Sequence, residues 1–432
     1  MTSVTIISYL MIAVFMLLIM TRRLSALLAL ILVPLIFAII AGFHAELGKM
    51  MMDGIKLLAP TGVMLTFAIL YFSVMTDAGL FDPFIKIIIR IVKGDPLKVI
   101  LGTAILGISV ALDGDGATTY LICTTALLPL YRRLGIKIQY MATVLLLSVG
   151  VMNMIPWGGP TARAASAMKV DLGELFMYLM PIMLFGLAWV ISVSIIFGLR
   201  ERRRLGTVTL EISENTEQRA TIRECRYIIN SLLTIVLLAM LILGVLPMAA
   251  LFMIAFALAM LINFPDIKKQ QELIAKHADN VLAIVSLIFA AGIFTGILSG
   301  TGMVDAISNS LITSLPPQAG PWLGVITALL SMPFTFFMTN DAFYFGVLPI
   351  LAQTAVNYGI TPMQMAIASL IGQPVHLLSP LVASTYLLVG ILNLDYGLNQ
   401  RASLKWAIGT VLCMLAGAIL LGILPLEGGA TQ

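Results

Sequence analysis

Two carboxylates lie close together in an otherwise apolar part of the sequence. Asp113 and Asp115 alternate with glycines in the stretch LDGDGATTY, residues 112–120, and long apolar runs precede and follow it. A charge at membrane depth costs about 2.5 kcal/mol or more, so ionisable groups in such surroundings usually have a function. Carboxylate oxygens bind hard cations or protons, although an Asp before a helix can also simply cap it. A cap explains one of the two residues, so the pattern favours a functional pair.

The composition of the chain explains these apolar surroundings. Of 432 residues, 60% are hydrophobic and 11% are charged, whereas soluble globular chains have roughly a quarter charged residues. Apolar runs near twenty residues suit membrane-spanning helices and not the ~10-residue strands of a barrel. The sequence therefore predicts an all-α polytopic membrane protein. The net charge of +4 is small and indicates membrane orientation, not a nucleic acid partner.

Four apolar segments are interrupted by polar or helix-breaking residues. The segments 97–131 and 321–357 are each long enough for two half-spans, and DGDG and MTND break them. We predict that both are re-entrant hairpins. The segments that follow, 138–168 and 363–392, contain PWGGP and GQPVHLLSP, which cannot continue a regular helix. We predict that both are discontinuous transmembrane helices.

The interruptions recur at a nearly constant distance along the chain. AGLFD at 78–82 resembles TGMVD at 301–305, and three further matches follow in order, 220 to 224 residues apart. The sequence therefore predicts two copies of one unit. The copies cover residues 1–199 and 227–432, and a polar cytoplasmic linker at residues 200–226 joins them.

The distribution of positive charge predicts that the copies are inverted. No Lys or Arg occurs from His277 to Gln400, whereas basic clusters flank the first hairpin. Since basic residues concentrate on the cytoplasmic side, the first hairpin enters from inside and the second from outside. Inverted-topology repeats with broken helices are typical of secondary transporters, which bind substrate near the midplane.

The turns of the two hairpins supply the first candidate site residues. Glycines allow a tight turn, and the half-helix that follows presents unpaired N–H groups to an anion. In the second hairpin an amide can donate to a carboxylate and Asp341 can bind a cation or a proton, although capping is equally plausible there. The candidates are Asp113, Gly114, Asp115, Gly116, Thr118, Thr119, Thr339, Asn340 and Asp341.

The two helix interruptions supply the remaining candidates. Arg163 follows the first interruption, and its guanidinium binds carboxylates in a two-pronged geometry. Ala383 lies at the aligned place in the second copy, so the fold does not need this charge, and we favour contact with an anionic substrate. His376 can carry a proton near neutral pH, but a packed neutral histidine is equally plausible. The candidates are Asn153, Gly158, Gly159, Thr161, Arg163, Gln373, His376 and Ser379.

Several motifs together resemble the CitMHS family of bacterial metal–citrate transporters, part of the ion-transporter superfamily. They are LDGDGATTY, NMIPWGGPTARA, FTGILSGTGMVDAI and MTNDAFYFGVLPI, and the similarity covers nearly the whole chain. The resemblance implies uptake of citrate complexed to a divalent metal, coupled to protons. The metal is then a co-substrate and not a permanently bound cofactor, and no motif distinguishes a magnesium-like from a calcium-like ion. The metal or proton ligands are expected among Asp113, Asp115, Asp341 and His376.

The resemblance also implies a multi-pass protein of the bacterial inner membrane, in contact with lipid, that forms a homodimer. An alternative is a proton- or sodium-coupled symporter of free di- or tricarboxylates. A distant alternative is an intramembrane aspartyl protease in which Asp113 and Asp341 share a proton. Such proteases show a GxGD pattern, which this chain lacks, and they need no inverted repeats. A GxxxxGK[ST] motif is also absent from the sequence, which argues against an ATP-driven pump. We therefore predict a transporter and not an enzyme.

Overall fold

The computed structural model of the chain is built from helices joined by short turns. It describes residues 3–21, 23–92, 94–206, 221–314 and 318–428. Within these ranges there are nineteen α-helices and no β-strand. The helices are α1 (Ser3–Met20), α2 (Ala26–Ile40), α3 (Leu47–Asp77), α4 (Asp82–Val92), α5 (Pro96–Val110), α6 (Gly116–Leu134), α7 (Ile138–Met152), α8 (Gly159–Met168), α9 (Leu172–Leu205), α10 (Thr221–Ile242), α11 (Met248–Asn263), α12 (Ile267–Gly300), α13 (Met303–Ser314), α14 (Leu323–Phe337), α15 (Leu348–Val356), α16 (Pro362–Leu370), α17 (Gln373–His376), α18 (Ala383–Leu392) and α19 (Tyr396–Leu420).

Six helical segments are long and apolar enough to cross a membrane. They are Leu47–Asp77, Pro96–Asp113, Leu172–Leu205, Ile267–Gly300, Gly320–Phe337 and Tyr396–Leu420. About 20 residues span the hydrocarbon core, and α3, α9 and α12 contain 31, 34 and 34 residues. Shorter apolar helices accompany them. The predicted all-α polytopic membrane protein is confirmed.

Each of the four predicted interruptions separates helices. We call residues 111–115, between α5 and α6, the first tip, and residues 338–341, between α14 and the π-helical segment Ala342–Val347, the second tip. Residues 153–158, between α7 and α8, are the first break. Residues 371–382, between α16 and α18, are the second break and include α17.

Residues with positive φ recur along the chain at nearly the spacing of the predicted repeat. The left-handed turns at Gly79 and Gly302 lie 223 residues apart, and those at Gly135 and Gly359 lie 224 apart. In the described part of the chain, Lys169 and Asn393 are the non-glycine residues with positive φ, at 54° and 53°, and they too are 224 apart. Such residues are uncommon, so their agreement supports two copies of one unit. The inverted orientation of the copies stays a prediction.

The two halves of the chain pack against each other where their interrupted elements meet. α6, the second arm of the first hairpin, packs against α18, which follows the second break. α15, from the second hairpin, packs against α8, which follows the first break. α3 and α12 pack along each other, with Gly54 of one against Gly292 of the other, because small residues let membrane helices approach closely. Each tip therefore lies beside a break of the other copy.

Polar contacts join residues that the charge pattern assigns to one membrane face. On the predicted inner side, Lys276 Nζ lies 2.7 Å from Asp77 Oδ1, and Arg202 lies 3.5 Å from Asp95. On the predicted outer side, Gln353 donates to Asp305 at 2.9 Å. The predicted linker begins inside α9, which continues to Leu205, and residues 207–220 of that linker lie outside the described residues.

Candidate functional site

The first tip turns at Gly114, which has a φ of 80°, and ends at Asp115, the N-cap of α6. The Asp115 carboxylate accepts the N–H groups of Ala117 and Thr118 at 3.0 Å each, and the Thr118 hydroxyl at 2.5 Å. Thr119 donates to the carbonyl of Asp115 at 2.9 Å. The carboxylate therefore occupies the helix N–H groups that we had expected an anionic substrate to use, which leaves Asp115 itself as the group offered there.

The two aspartates of the first tip are suited to a cation. Asp115 is exposed and Asp113 is half-buried, and Asp113 Oδ1 accepts the Asp115 N–H at 2.9 Å. In the part of the chain that the structure covers, no cluster of three or more His, Cys, Asp or Glu side chains could enclose a metal ion. A hard cation takes six or more oxygen ligands. The two carboxylates alone would therefore leave most ligand positions of such a cation to other oxygen atoms, from the protein, from water or from a bound substrate.

Trp157, in the first break, forms a hydrogen bond with the first tip. Its indole N–H donates to the Leu112 carbonyl at 2.7 Å, and its ring stacks on Phe72 with centroids 5.1 Å apart. A Cβ on Gly114 would lie 3.1 Å from this ring, and one on Gly116 would lie 3.4 Å from Ser384 Oγ in the second copy. Gly114 is thus needed for the close approach of Trp157 as well as for the turn, whereas the distance from Gly116 to Ser384 is an ordinary van der Waals contact.

Gln373 connects three parts of the site. Its side chain is fully buried and accepts from Asn153 Nδ2 at 3.4 Å. Its amide nitrogen donates to Asn340 Oδ1 at 3.3 Å and to the Tyr344 hydroxyl at 2.8 Å. The first break, the second break and the second tip therefore share one hydrogen-bonded chain. Tyr344 was missing from the predicted set, and its position one turn beyond Asn340 was the signal available in the sequence.

Arg163 pairs with the second tip. Its Nε donates to Asp341 Oδ1 at 2.6 Å, and its Nη1 donates to the Gly159 carbonyl at 3.0 Å. Each side chain of the ion pair is 16% exposed, so water or a ligand reaches both. The anionic partner that Arg163 needs at membrane depth is Asp341 in this structure, whereas we had expected a substrate. A Cβ on Gly159 would lie 2.8 Å from Nη1, so this glycine makes room for the guanidinium.

The other predicted residues fill supporting positions around the site. His376 is buried, and its Nδ1 lies 2.6 Å from the Thr335 carbonyl, so this nitrogen must carry the hydrogen. Ser379 donates to the Phe336 carbonyl at 2.6 Å, which ties the second break to α14. Thr339 accepts the Ala342 N–H at 3.2 Å, as a cap would.

Two residues of the first break and α8 complete the set. Gly158 packs so closely on the Asn153 carbonyl that a side chain would collide with it. The Thr161 hydroxyl is buried and has no hydrogen-bond partner among the described residues. A buried hydroxyl without a partner is costly, which makes Thr161 a candidate for a hydrogen bond formed when substrate binds.

Comparisons with known proteins agree with this architecture. The CitMHS family model, described as a citrate transporter, matches residues 4–372. A citrate transporter of Bacillus subtilis (strain 168) is 54% identical over 421 residues, which cover 97% of this chain and 99% of the relative. A Mg(2+)/citrate complex secondary transporter of the same organism is 49% identical over 429 residues, with 98% and 99% covered.

The fold is also that of a solved transporter. The crystal structure of the YdaH transporter of Alcanivorax borkumensis matches with a TM-score of 0.64 at 15% identity, over 89% of this chain and 90% of that one. This likeness concerns the fold alone. The family match, together with the six segments able to span a membrane, identifies a multi-pass protein of the bacterial cell membrane, a transporter and not an enzyme. The chain belongs to the CitMHS family of citrate transporters.

Proposed function

We propose that this protein takes up citrate as a complex with a divalent cation, in symport with protons. The complex would bind where the two tips meet the two breaks. The observation that carries this proposal is that one stretch of the chain contacts both tips. Trp157 bonds to Leu112 of the first tip, and Arg163 bonds to Asp341 of the second.

The chemistry of the two tips fits the two halves of such a complex. Citrate carries about three charges at neutral pH, because carboxyl groups have reference pKa values near 4. A divalent cation leaves the complex with one negative charge. Asp113 and Asp115 would face the cation, and Arg163 would bind a free carboxylate of citrate.

Citrate that already carries a metal ion suits the first tip, where Asp113 and Asp115 offer only a few ligands to a cation. Citrate itself supplies oxygen ligands, so the protein needs to add only one or two from the first tip. The 49% identical relative named as a Mg(2+)/citrate complex secondary transporter supports the same substrate class. The proposed cation is a divalent ion that prefers oxygen ligands.

Charge also favours the complex over free citrate. Moving each negative charge into a cell that is negative inside costs about 2.3 kcal/mol per 100 mV. A divalent cation removes two of the three charges, and co-transported protons offset the remainder. The candidate proton carriers of the site are Asp113, Asp115, Asp341 and His376.

Citrate uptake into proteoliposomes, with and without a metal chelator, tests the proposal. We expect the chelator to abolish uptake and one or more divalent cations to restore it. Asp115→Asn keeps an oxygen for the helix cap but removes the charge, so it should raise the cation concentration needed for half-maximal uptake. Full uptake in chelator would contradict the metal complex and would leave a symporter of free citrate.

A further inference from the structure

We propose that Asp341 carries the coupling proton, and that it pairs with Arg163 while no substrate is bound there. When a citrate carboxylate binds Arg163, Asp341 loses its ion-pair partner and takes up a proton. When citrate leaves, the proton leaves and the ion pair forms again. This inference rests on the proposed citrate transport and specifies how one residue of that site couples it to protons.

The geometry of the ion pair leaves room for a second anion. Arg163 offers five N–H groups, and its bonds to Asp341 and Gly159 use two of them. The contact to Asp341 goes through Nε to one carboxylate oxygen, so it is a single bond and not the two-pronged arrangement that binds tightest. Each side chain is 16% exposed. A substrate carboxylate can therefore reach the guanidinium and compete with Asp341 for it.

In the described part of the chain, Arg163 is the one Lys or Arg that forms an ion pair with Asp341. The π-helical segment that follows it packs against α1, α8, α12 and α15. Arg163 is the ionisable residue of α8, Tyr9 is that of α1, and α15 has none. The charged residues of α12 all lie in its first part, residues 267–279, where Lys276 and His277 pair with Asp77 at the predicted inner face.

Two further titratable groups, Tyr344 and His376, belong to this environment. Tyr344 accepts a hydrogen bond from Gln373. His376 on α17 is buried and uses Nδ1 to bind the Thr335 carbonyl. Among the described residues, neither side chain forms a hydrogen bond or ion pair with Asp341. An unpaired carboxylate at membrane depth is costly, and binding a proton removes its charge. Loss of Arg163 to the substrate thus drives protonation of Asp341.

Asp115 also accepts hydrogen bonds from several donors, but its surroundings suit a different role from that of Asp341. Asp115 accepts three hydrogen bonds within its own turn, and none of them comes from Arg163. Asp341, in contrast, depends on a partner that the substrate itself can remove. This difference assigns the proton to Asp341 and leaves Asp115 for the cation.

Two transport assays on Asp341→Asn test the inference. The amide imitates the protonated carboxyl group, so exchange of labelled for unlabelled citrate at equal pH should persist. Net uptake driven by a pH gradient should lose its dependence on the gradient. In the wild type, a gradient of about one pH unit should raise the citrate accumulation ratio about tenfold for each coupled proton. Asp305→Asn is the matched control, because Asp305 is exposed and bonds to Gln353 away from the tips.

The possible outcomes separate the inference from the proposed function. Gradient-driven accumulation by Asp341→Asn equal to that of the wild type would overturn the inference. Loss of exchange in a variant that is folded by size-exclusion chromatography would also overturn it, since Asp341 would then be needed for binding. If the wild type itself does not exchange citrate, the proposed function fails instead.

If the Asp341→Asn variant does not fold, proton uptake by the wild-type protein on citrate binding tests the inference instead. Citrate and a divalent cation are added to detergent-solubilised protein in weak buffer with a pH indicator. The inference predicts uptake of protons on citrate binding, corrected for the protons that the citrate itself exchanges. The Arg163→Ala variant should show no such uptake. Equal signals from both proteins, or none from the wild type, would contradict it.

Discussion

At the scale of single residues, the account depends on the guanidinium of Arg163. Its charge is held by Asp341 and its position by the Gly159 carbonyl. Arg163→Lys keeps the charge but loses the planar fork. Loss of one charge-assisted hydrogen bond, about 1.5–3 kcal/mol, should lower citrate uptake about tenfold or more. Measured uptake should fall while the protein still reaches the membrane, and Arg133→Lys, exposed at the end of α6, should behave as wild type.

Gly159 gives a second, steric test of the same position. A Cβ at this residue would lie 2.8 Å from Arg163 Nη1, so Gly159→Ala should displace the guanidinium and raise the citrate concentration for half-maximal uptake. Gly390 in α18 has open space where a Cβ would be, so Gly390→Ala is the control and should have no effect. Equal citrate dependence in both variants would remove Gly159 from the site.

At the scale of elements, we expect citrate uptake to depend on the hydrogen bonds between the breaks and the tips. Trp157→Phe removes the bond to Leu112 but keeps the ring against Phe72. Trp189→Phe is a matched control, because Trp189 makes a similar bond to the Trp406 carbonyl. Each change should cost about 1 kcal/mol of stability. Thermal unfolding in detergent should therefore shift similarly in both, whereas citrate uptake should weaken in Trp157→Phe alone. Weakened uptake in both variants would mean a general loss of stability.

The interruptions between helices were predictable from the sequence, whereas the pairings across the site were not. Pro156 and Gly158 end a helix by their own chemistry, and a repeated spacing carries such breaks to the second copy. The pair of Arg163 with Asp341 joins residues 178 positions apart, and no local pattern reports it. Asp115 shows a further limit: an Asp that caps a helix and an Asp that binds a cation look identical in sequence.

At the scale of the whole molecule, labelling at two corresponding positions tests whether the two copies are inverted in the membrane. Arg133 and Asn357 lie 224 residues apart, at the ends of α6 and α15, and both are exposed. Single cysteines at these positions, with Cys123, Cys225 and Cys413 replaced, should react with an impermeant reagent from opposite sides of the membrane. We expect Asn357→Cys to react from outside and Arg133→Cys only after permeabilisation. Reaction of both from one side would contradict inversion.

The central claim is that metal and citrate cross the membrane together. Proteoliposomes are given citrate and a divalent cation with different radiolabels, and both are counted in the same vesicles over time. If one complex of cation and citrate binds both tips, as proposed, the ratio should stay fixed at about one cation per citrate at every time point and every concentration of either. Asp115→Asn should slow both labels together. Citrate that enters without the cation, or a ratio that drifts with the concentration of one partner, would contradict the account.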